Sequence, residues 1–199
     1  SLNSPEISVV IPTYNSADFL KKCLESLISQ TFNNWEALVI NNFSTDNTVA
    51  IVKGFCDKRI HLENFRNNGI IAASRNKGIE LSRGNLIAFL DSDDIWYPQK
   101  LGRCLNEFGP ETGMVCHGMR YIMNGRYWKD VNPISRKRPD FFNLLYNGNR
   151  FNTSAMVVSR ASLLKAGGFD ENPDIVTAED YDLWLKLFIN FELFIFIQK

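Results

Sequence analysis

Leu86-Ile87-Ala88-Phe89-Leu90-Asp91-Ser92-Asp93-Asp94 decides the fold, because an apolar run of strand character ends abruptly in three carboxylates. A continuous apolar run is typical of a buried strand in a parallel sheet. In open α/β sheets, ligands bind just beyond the carboxyl ends of such strands. Clustered carboxylates repel one another unless a proton or a cation neutralises them, and a hard divalent ion that also contacts phosphate oxygens would do so. The stretch therefore predicts a ligand site at Asp91–Asp94, although such a motif alone more often only caps a helix, here one starting near Pro98.

Composition excludes several classes of protein. The chain has 199 residues, which is enough for one large domain with a real hydrophobic core. Lysine plus arginine and aspartate plus glutamate both number 22, and this balanced charge argues against a nucleic-acid partner. We identify no signal peptide, and no apolar run approaches the length of a transmembrane helix.

Cysteine usage favours a reducing compartment. The four cysteines are Cys23, Cys56, Cys104 and Cys116. None of them forms a C-x-x-C pair, so a zinc site is not expected. Buried reduced thiols are typical of cytosolic proteins, and we therefore expect a cytoplasmic protein.

The first half of the chain alternates between strand and helix patterns. Strands are predicted at Ile7–Ile11 (ended by Pro12), Trp35–Ile40, Ile60–Glu63 and Leu86–Leu90. Helices are predicted after a cap at Asn15 or Ser16, at Val49–Phe55 after a cap at Ser44 or Asp46, and at Ala72–Leu81. The first helix has an apolar stripe formed by Phe19, Leu20, Cys23, Leu24, Leu27 and Ile28. This order favours an α/β fold with a Rossmann-like, mostly parallel central sheet and helices on both faces.

The second half has a mixed pattern. Strands are predicted at Gly113–Ile122 and Arg126–Val131 around an Asn124-Gly125 turn, and at Ser154–Val158. Helices are predicted at Ala161–Ala166, ended by Gly167-Gly168, and at Glu179–Asn190. We expect residues 1–199 to form a single domain, with a nucleotide-type half at 5–98 and a mixed second half at 99–199. The strand-like run Phe191–Ile197 has no stop signal, so we expect the chain to be cut from a longer protein.

Six motifs in order carry a family resemblance. They are Val10-Ile11-Pro12-Thr13-Tyr14-Asn15, Ser44-Thr45-Asp46, Asn68-Gly69 with Arg75-Asn76-Lys77-Gly78, Phe89-Leu90-Asp91-Ser92-Asp93-Asp94, Gly167-Gly168-Phe169-Asp170 and Glu179-Asp180-Tyr181-Asp182-Leu183-Trp184. Through them the chain resembles the family 2 glycosyltransferases, which have the GT-A fold, from Ile7 almost to its end. The resemblance implies inverting transfer of a sugar from a nucleotide-diphosphate donor, typically a UDP-sugar, to a hydroxyl of a glycan or lipid-linked acceptor. Such reactions build polysaccharides and cell-envelope glycans.

The resemblance also implies roles for the acidic cluster. The last aspartate of the D-x-D motif is usually the direct metal ligand, which is Asp93 here. Asp91 then contacts the ribose or a metal-bound water, and Ser92 lies with it on the donor side. Mn²⁺ or Mg²⁺ is the expected cofactor, because a metal ion neutralises the charge that the departing nucleoside diphosphate gains.

Inversion requires the acceptor hydroxyl to attack from the face opposite the leaving group, and a carboxylate must remove its proton. The family places this base in the Glu-Asp pair, which is Glu179-Asp180 here. We expect Asp180 to be the base and Glu179 to support it. The simpler alternative is that both acids only complement the dipole of the helix that they begin.

Further residues are assigned by the resemblance to the donor or the acceptor. The donor-side residues are Pro12, Tyr14, Asn15, Asn41, Asn68 and Arg75. Tyr14 would line the nucleobase pocket, and Arg75 would pair with the diphosphate or with an acidic neighbour. The acceptor-side candidates are Trp96, which could stack on a sugar, and Gly168 and Phe169.

One departure from the family pattern leaves the donor base open. The second strand of the family usually ends in Asp-Asp-Gly-Ser, and this chain has Asn41-Asn42-Phe43-Ser44. The first of those acids commonly accepts a hydrogen bond from the imide N–H of uracil. The Asn41 amide oxygen could still accept it, but without charge assistance. Because the amide could also donate, another base fits as well.

Two other classes of function remain open. The departure at Asn41-Asn42-Phe43 motivates a non-catalytic nucleotide-sugar binding module or partner subunit. A nucleotidyltransferase would also use a sheet and acidic metal ligands, but the chain lacks an early Gly-rich, basic phosphate loop. Arg136-Lys137-Arg138 is most simply a solvated loop. Its alternative roles are contact with a lipid-linked diphosphate acceptor or peripheral contact with an anionic bilayer at the inner face of the plasma membrane.

Overall fold

The computed structural model describes residues 4–123, 125–131, 144–146, 148–190 and 193–197. The strands are β1 (Ile7–Thr13), β2 (Trp35–Asn41), β3 (Ile60–Asn64), β4 (Leu86–Phe89), β5 (Thr112–His117), β6 (Met119–Met123), β7 (Arg126–Val131), β8 (Met156–Ser159) and β9 (Leu193–Ile197). The helices are α1 (Ala17–Ile28), α2 (Thr48–Gly54), α3 (Ile71–Leu81), α4 (Lys100–Asn106), α5 (Arg160–Ala166) and α6 (Glu179–Asn190). Two 3₁₀ turns lie at Thr153–Ala155 and Pro173–Ile175.

Seven of these strands form one sheet in the order β3-β2-β1-β4-β8-β5-β9, and β6 and β7 form a separate hairpin. The first four strands pair in parallel. β8 lies antiparallel between β4 and β5, and β9 pairs in parallel with β5. The sheet is therefore mostly parallel, as predicted, and strands from both halves of the chain contribute to it.

Alternating side chains give the sheet two apolar faces. One face, which includes Val9 and Ala88, packs against α1, α2 and α4 through residues such as Leu24. The other face, which includes Val10 and Phe89, packs against α3, α5 and α6. Because successive strand residues point to opposite faces, continuous apolar strands require helices on both sides.

A buried carboxylate joins three parts of the first half. Glu36 lies in β2 and is 2% exposed. It accepts hydrogen bonds from the Ser8 hydroxyl (2.6 Å), the Arg83 backbone N–H (2.8 Å) and the Arg83 side-chain Nε (2.7 Å). Burial acts to raise the pKa of Glu36, but the hydrogen bonds from Ser8 and Arg83 outweigh it and lower the pKa below its ordinary value.

Several predicted element boundaries differ from the structure. Pro12 does not end β1, which continues to Thr13. The pairing of β1 with β4 stops at Val10, so the missing N–H of Pro12 costs no hydrogen bond to β4. Phe19 was predicted to join the apolar stripe of α1, but it is 58% exposed because it lies at the margin of the stripe centred on Leu20 and Leu24.

The second half shows a further difference. The predicted strand Gly113–Ile122 is two strands, because the chain leaves the main sheet after His117 and enters the β6–β7 hairpin. The Arg136-Lys137-Arg138 loop lies outside the described residues. Within the described part of the chain, we find no helix with the length and hydropathy needed to span a bilayer.

Candidate active site

The sequence-predicted donor residues cluster at one edge of the sheet. β1, β2 and β4 end there, so the loops after Thr13, Asn41 and Phe89 lie side by side. β8 runs in the opposite direction, which brings the preceding turn at Thr153–Ala155 to the same edge. This is the edge at which open α/β sheets bind ligands.

The loops after β1 and β2 are fastened to each other. Asn15 adopts a left-handed backbone conformation (φ 47°), and its side-chain oxygen accepts a hydrogen bond from the Thr45 N–H at 2.8 Å. Asp46 accepts hydrogen bonds from Ala17 and Thr48, at the starts of α1 and α2, each at 3.0 Å. Asp46 therefore serves both helix starts, whereas the Ser16 hydroxyl, a predicted cap, donates to the Tyr14 carbonyl instead.

Asn41 is occupied by contacts within the protein. Its side-chain oxygen accepts hydrogen bonds from the Ser44 hydroxyl (2.6 Å) and the Ser44 N–H (3.1 Å), and its amide donates to Asn64 at 2.7 Å. Both lone pairs of that oxygen are thus used. The expected hydrogen bond from a uracil imide to Asn41 therefore finds no free acceptor unless Ser44 moves.

The remaining donor-side candidates differ in exposure. Tyr14 is 58% exposed at the end of β1, while Pro12 is buried within β1. Phe43 is exposed in a left-handed conformation (φ 52°), with the Arg66 guanidinium 4.9 Å from its ring centroid. Asn68 is also exposed with a positive φ, in the turn before α3. Tyr14 and Phe43 are therefore the exposed aromatic rings on this side of the site.

The acidic cluster after β4 is held by Ser154. The Asp91 N–H donates to the Ser154 hydroxyl oxygen at 2.9 Å, and the hydroxyl in turn bonds the carboxylate of Asp94. Burial, together with the nearby charges of Asp91 and Asp93, raises the pKa of Asp94 to about 6 although the Ser154 bond opposes it. Asp93 is exposed and makes no hydrogen bond or ion pair to any described residue, and Ser92 is buried beside it.

Arg75 connects the acidic cluster with the Glu-Asp pair. Its guanidinium donates to Asp91 at 3.0 Å and to Glu179 at 2.9 Å. The side chains of Arg75 and Glu179 are 5% and 8% exposed, and the other carboxylate oxygen of Glu179 has no partner among the described residues. The predicted pairing of Arg75 with an acidic neighbour is observed in this form, and Glu179 is a buried ion-pair partner of Arg75.

Asp180 begins α6 together with Glu179 but faces a different environment. One carboxylate oxygen accepts hydrogen bonds from the Asn149 amide (3.0 Å) and the Thr153 hydroxyl (3.4 Å). The other accepts the Tyr181 N–H at 2.7 Å. Burial raises the pKa of Asp180, although these hydrogen bonds oppose the shift. A partly buried carboxylate with a raised pKa is suited to accept a proton.

Gly168 and Phe169, two of the three predicted acceptor-side residues, contact Asn76 and Arg75. Gly168 has φ 73°, and a Cβ there would come 2.7 Å from the Asn76 side-chain oxygen. That oxygen accepts the Phe169 N–H at 2.9 Å, and the Asn76 amide donates to the Phe169 carbonyl at 2.8 Å. The Phe169 ring is buried, with the Arg75 guanidinium 5.4 Å from its centroid. Phe169 therefore packs against Arg75, and Gly168 gives Asn76 the space to hold the Phe169 backbone.

Trp96 is buried as well. It is 5% exposed, its ring N–H donates to the Ser154 carbonyl at 2.9 Å, and the Lys100 ammonium lies 3.7 Å from its ring centroid. This packing leaves no free ring face for the predicted stacking on a sugar. The neighbouring Tyr97 is 59% exposed instead.

Two adjoining cavities open beside these groups. One, of about 470 Å³, is lined by Arg75, Asp91, His117, Met119, Tyr121, Lys129, Val131, Asn149, Arg150, Phe151, Asn152, Thr153 and Asp180. We call this cavity the cleft. The other, of about 410 Å³, lies between the segment Asp93–Cys104 and β6. His117 lines both cavities, and burial lowers its pKa to about 4, so it is neutral near pH 7.

The described carboxylates could supply only some of the ligands of a metal ion. Among the described residues, no three histidine, cysteine, aspartate or glutamate side chains come together to hold one. Asp93 is nevertheless exposed beside two further carboxylates and has no partner among the described residues, and carboxylate oxygens suit Mg²⁺ and Mn²⁺. Such ions commonly take one or two carboxylates and complete their shell with substrate phosphates and water. The residues therefore fit an ion shared with a diphosphate.

Sequence reasoning missed four side chains of the site. Asn149 and Thr153 bond Asp180, Ser154 holds the acidic cluster, and Asn76 fixes the Gly168–Phe169 turn. Asn76 stood inside a quoted motif, so its signal was present but unread. The other three lie in a stretch without a motif, and only the antiparallel placement of β8 brings them to the site.

Comparison with known proteins places these features in a family. The family model described as Glycosyl transferase family 2 matches residues 8–171. The chain is 30% identical to the putative teichuronic acid biosynthesis glycosyltransferase TuaG of Bacillus subtilis (strain 168), over 92% of this chain and 72% of that protein. The chain spans between 19% and 72% of the length of the curated relatives it matches.

Two solved structures share the fold. S. aureus TarS 1-349 in complex with UDP-GlcNAc matches with a TM-score of 0.79 at 22% identity, over 98% of this chain and 58% of that one. The mannosyltransferase PcManGT from Pyrobaculum calidifontis, in complex with GDP-Man and Mn²⁺, matches with a TM-score of 0.71 at 21% identity, over 100% and 56%. The predicted GT-A fold class is confirmed.

Proposed function

The chain belongs to glycosyl transferase family 2, and on that premise we propose that it carries out metal-dependent, inverting transfer of a sugar from a nucleotide-diphosphate donor. The acceptor is a hydroxyl of a glycan or lipid-linked glycan, in polysaccharide or cell-envelope glycan synthesis. The observation that carries this proposal is the Arg75 guanidinium, which joins Asp91 of the D-x-D motif to Glu179 of the Glu-Asp pair. The two motifs that the reaction needs are thereby fixed relative to each other.

On the donor side, Asp93 with Asp91 would hold Mn²⁺ or Mg²⁺, which when bound neutralises the charge of the departing nucleoside diphosphate. Asp93 supports this role because it is exposed and has no competing partner among the described residues. We propose a UDP-sugar as donor, in line with the UDP-GlcNAc complex of TarS. The side-chain oxygen of Asn41 already accepts two hydrogen bonds from Ser44. We therefore propose that the exposed rings of Tyr14 and Phe43 flank the nucleobase.

On the acceptor side, Asp180 would remove the proton of the attacking hydroxyl. It lines the same cleft as Asp91, and its pKa is raised by burial, which makes its carboxylate a better proton acceptor than an exposed aspartate. The hydrogen bonds from Asn149 and Thr153 hold one of its oxygens in place. Glu179 and Arg75 act as positioning residues, since both are buried and are joined to each other by an ion pair at 2.9 Å.

A turnover assay tests this assignment. Purified protein is incubated with radiolabelled UDP-sugars, Mn²⁺ and an oligosaccharide panel, and both transferred sugar and released UDP are counted. Asp180→Asn should lower turnover at least about 100-fold while nucleotide binding is retained. Asp182→Asn is the matched control, because Asp182 lies on the same helix and is paired with Lys186 at its surface. Unchanged turnover in Asp180→Asn would remove Asp180 from the mechanism.

One observation favours a second function, a non-catalytic nucleotide-sugar binding module. The side chain of Asn41 replaces a family acid and is fully engaged by Ser44 and Asn64. A binding module of this kind would bind a UDP-sugar without transferring the sugar or hydrolysing the donor, whatever acceptor is supplied. Detectable Mn²⁺-dependent release of UDP that Asp180→Asn abolishes would exclude it.

A further inference from the structure

The wall of the cleft opposite Arg75 is formed by the β6–β7 hairpin. Met119 pairs with Val131 and Tyr121 pairs with Lys129, and all four line the cleft. Directly opposed residues of an antiparallel pair point to the same face. One face of the hairpin therefore lines the cleft, together with Asp91 and Asp180.

Two cationic side chains that line the cleft have no ionic partner among the described residues. The charge of Arg75 is shared between Asp91 and Glu179. Lys129 and Arg150, in contrast, make no hydrogen bond or ion pair with any residue that the structure describes. Arg150 directly follows Asn149, whose amide donates to Asp180. With respect to the described residues, the cleft thus presents two positive charges without an ionic partner, and Arg150 adjoins the residue that bonds the candidate base.

Aromatic rings flank Lys129. Its ammonium lies 4.3 Å from the Trp128 centroid and 5.6 Å from the Tyr121 centroid, and these two rings meet edge to face at 6.2 Å. Cation–π contacts of this kind restrain a long, flexible side chain. Tyr121 remains 36% exposed and lines the cleft, so part of its ring is open to contact with a sugar.

We propose that this hairpin wall is a subsite for an acceptor sugar that carries an anionic group, with Lys129 and Arg150 binding the anion and Tyr121 packing on the sugar. The anion is a carboxylate, as in a uronic acid, or a phosphate, since lysine and arginine bind both through charge-assisted hydrogen bonds. The inference rests on the proposed function, because it assigns the cleft to the acceptor of the same reaction.

Calorimetric titrations test the subsite. The probes are an oligosaccharide ending in a uronic acid, its carboxyl-reduced counterpart, and the reduced form carrying a phosphate, each added to protein saturated with UDP and Mn²⁺. The wild type should bind at least one charged probe about tenfold or more tightly than the neutral one. Lys129→Gln should remove that preference. Arg126→Gln is the control, because Arg126 lies on the same strand outside the cleft.

Each outcome decides the matter. Preference for the carboxylate or for the phosphate identifies the source of the charge. Equal binding of charged and neutral probes by the wild type would overturn the proposal, as would a Lys129→Gln variant that loses UDP affinity rather than probe affinity, since Lys129 would then serve the donor. Probe binding in these titrations, combined with no transfer to the same probe from any UDP-sugar in the turnover assay, would count against the proposed function and leave the subsite standing.

Discussion

Replacing Arg75 with methionine should destabilise the protein by about 3–5 kcal/mol, which is the typical effect of removing one partner of a buried ion pair. Methionine keeps an unbranched apolar stem but leaves Glu179 buried without its cation. The Glu179 side chain is 8% exposed, so water cannot replace the lost hydrogen bond at 2.9 Å. Asp91, at 28% exposure, should contribute less because solvent screens it.

Urea unfolding followed by tryptophan fluorescence measures this loss, since Trp96 and Trp184 are buried and report on the core. Lys77→Met provides the control on the same helix, because Lys77 pairs with the exposed Glu80 and such surface pairs contribute about 0–1 kcal/mol. Combining Arg75→Met with Glu179→Gln should recover much of the loss, because the glutamine buries no charge.

Two results would refute this reasoning. If Arg75→Met unfolds within about 1 kcal/mol of the wild type, the guanidinium does not hold the two motifs together. If the double variant shows no coupling between positions 75 and 179, the loss comes from packing around Phe169 rather than from the ion pair.

Three further predictions follow from single contacts. The kcat/KM of transfer should rise with pH through the ionisation of Asp180, at a pKa above the ordinary 3.8 because burial raises it, and Asp180→Asn should flatten that profile. Glu36→Gln should lower the free energy of unfolding, measured in urea at pH 7, by about 1–3 kcal/mol. Because the pKa of Glu36 is lowered from 4.5, its carboxylate stabilises the protein above that pH and ceases to do so as the pH falls. The stabilities of the variant and the wild type should therefore converge in acid. Gly168→Ala should lower the melting temperature more than Gly167→Ala, since both have positive φ but only Gly168 places a Cβ 2.7 Å from Asn76; equal losses would assign the effect to φ alone.

Local signals predicted the first half of the fold well. Strands such as Leu86–Phe89 are continuous apolar runs, and their side chains alternate between two covered faces, so the pattern is visible without tertiary information. Glu36 is the exception, because nothing in its neighbourhood indicates that Ser8 and Arg83 will meet it. Contacts between residues distant in the chain have no local signature.

In the candidate site, too, motifs identified residues but did not show the contacts between distant parts of the chain. Asp91, Arg75 and Glu179 were found from motifs, and their direct contact depends on how α3, β4 and α6 meet. Trp96 was predicted to stack on a sugar because it follows the acidic cluster, but the sequence does not show that its ring contacts Lys100 and Ser154 in the interior. Lys129 and Tyr121 carry no motif, and only the turn of the chain out of the sheet after His117 brings them into the cleft.

The most direct test of the account is calorimetric binding of UDP, GDP, dTDP and CMP, with and without Mn²⁺, to the wild type and to Asp93→Asn. We expect one nucleotide, UDP, to bind the wild type in a Mn²⁺-dependent manner and to lose about tenfold or more in affinity in Asp93→Asn. Binding that is unaffected by Mn²⁺ and by Asp93→Asn, or no binding of any nucleotide, would contradict a metal-dependent nucleotide-sugar site at this edge of the sheet.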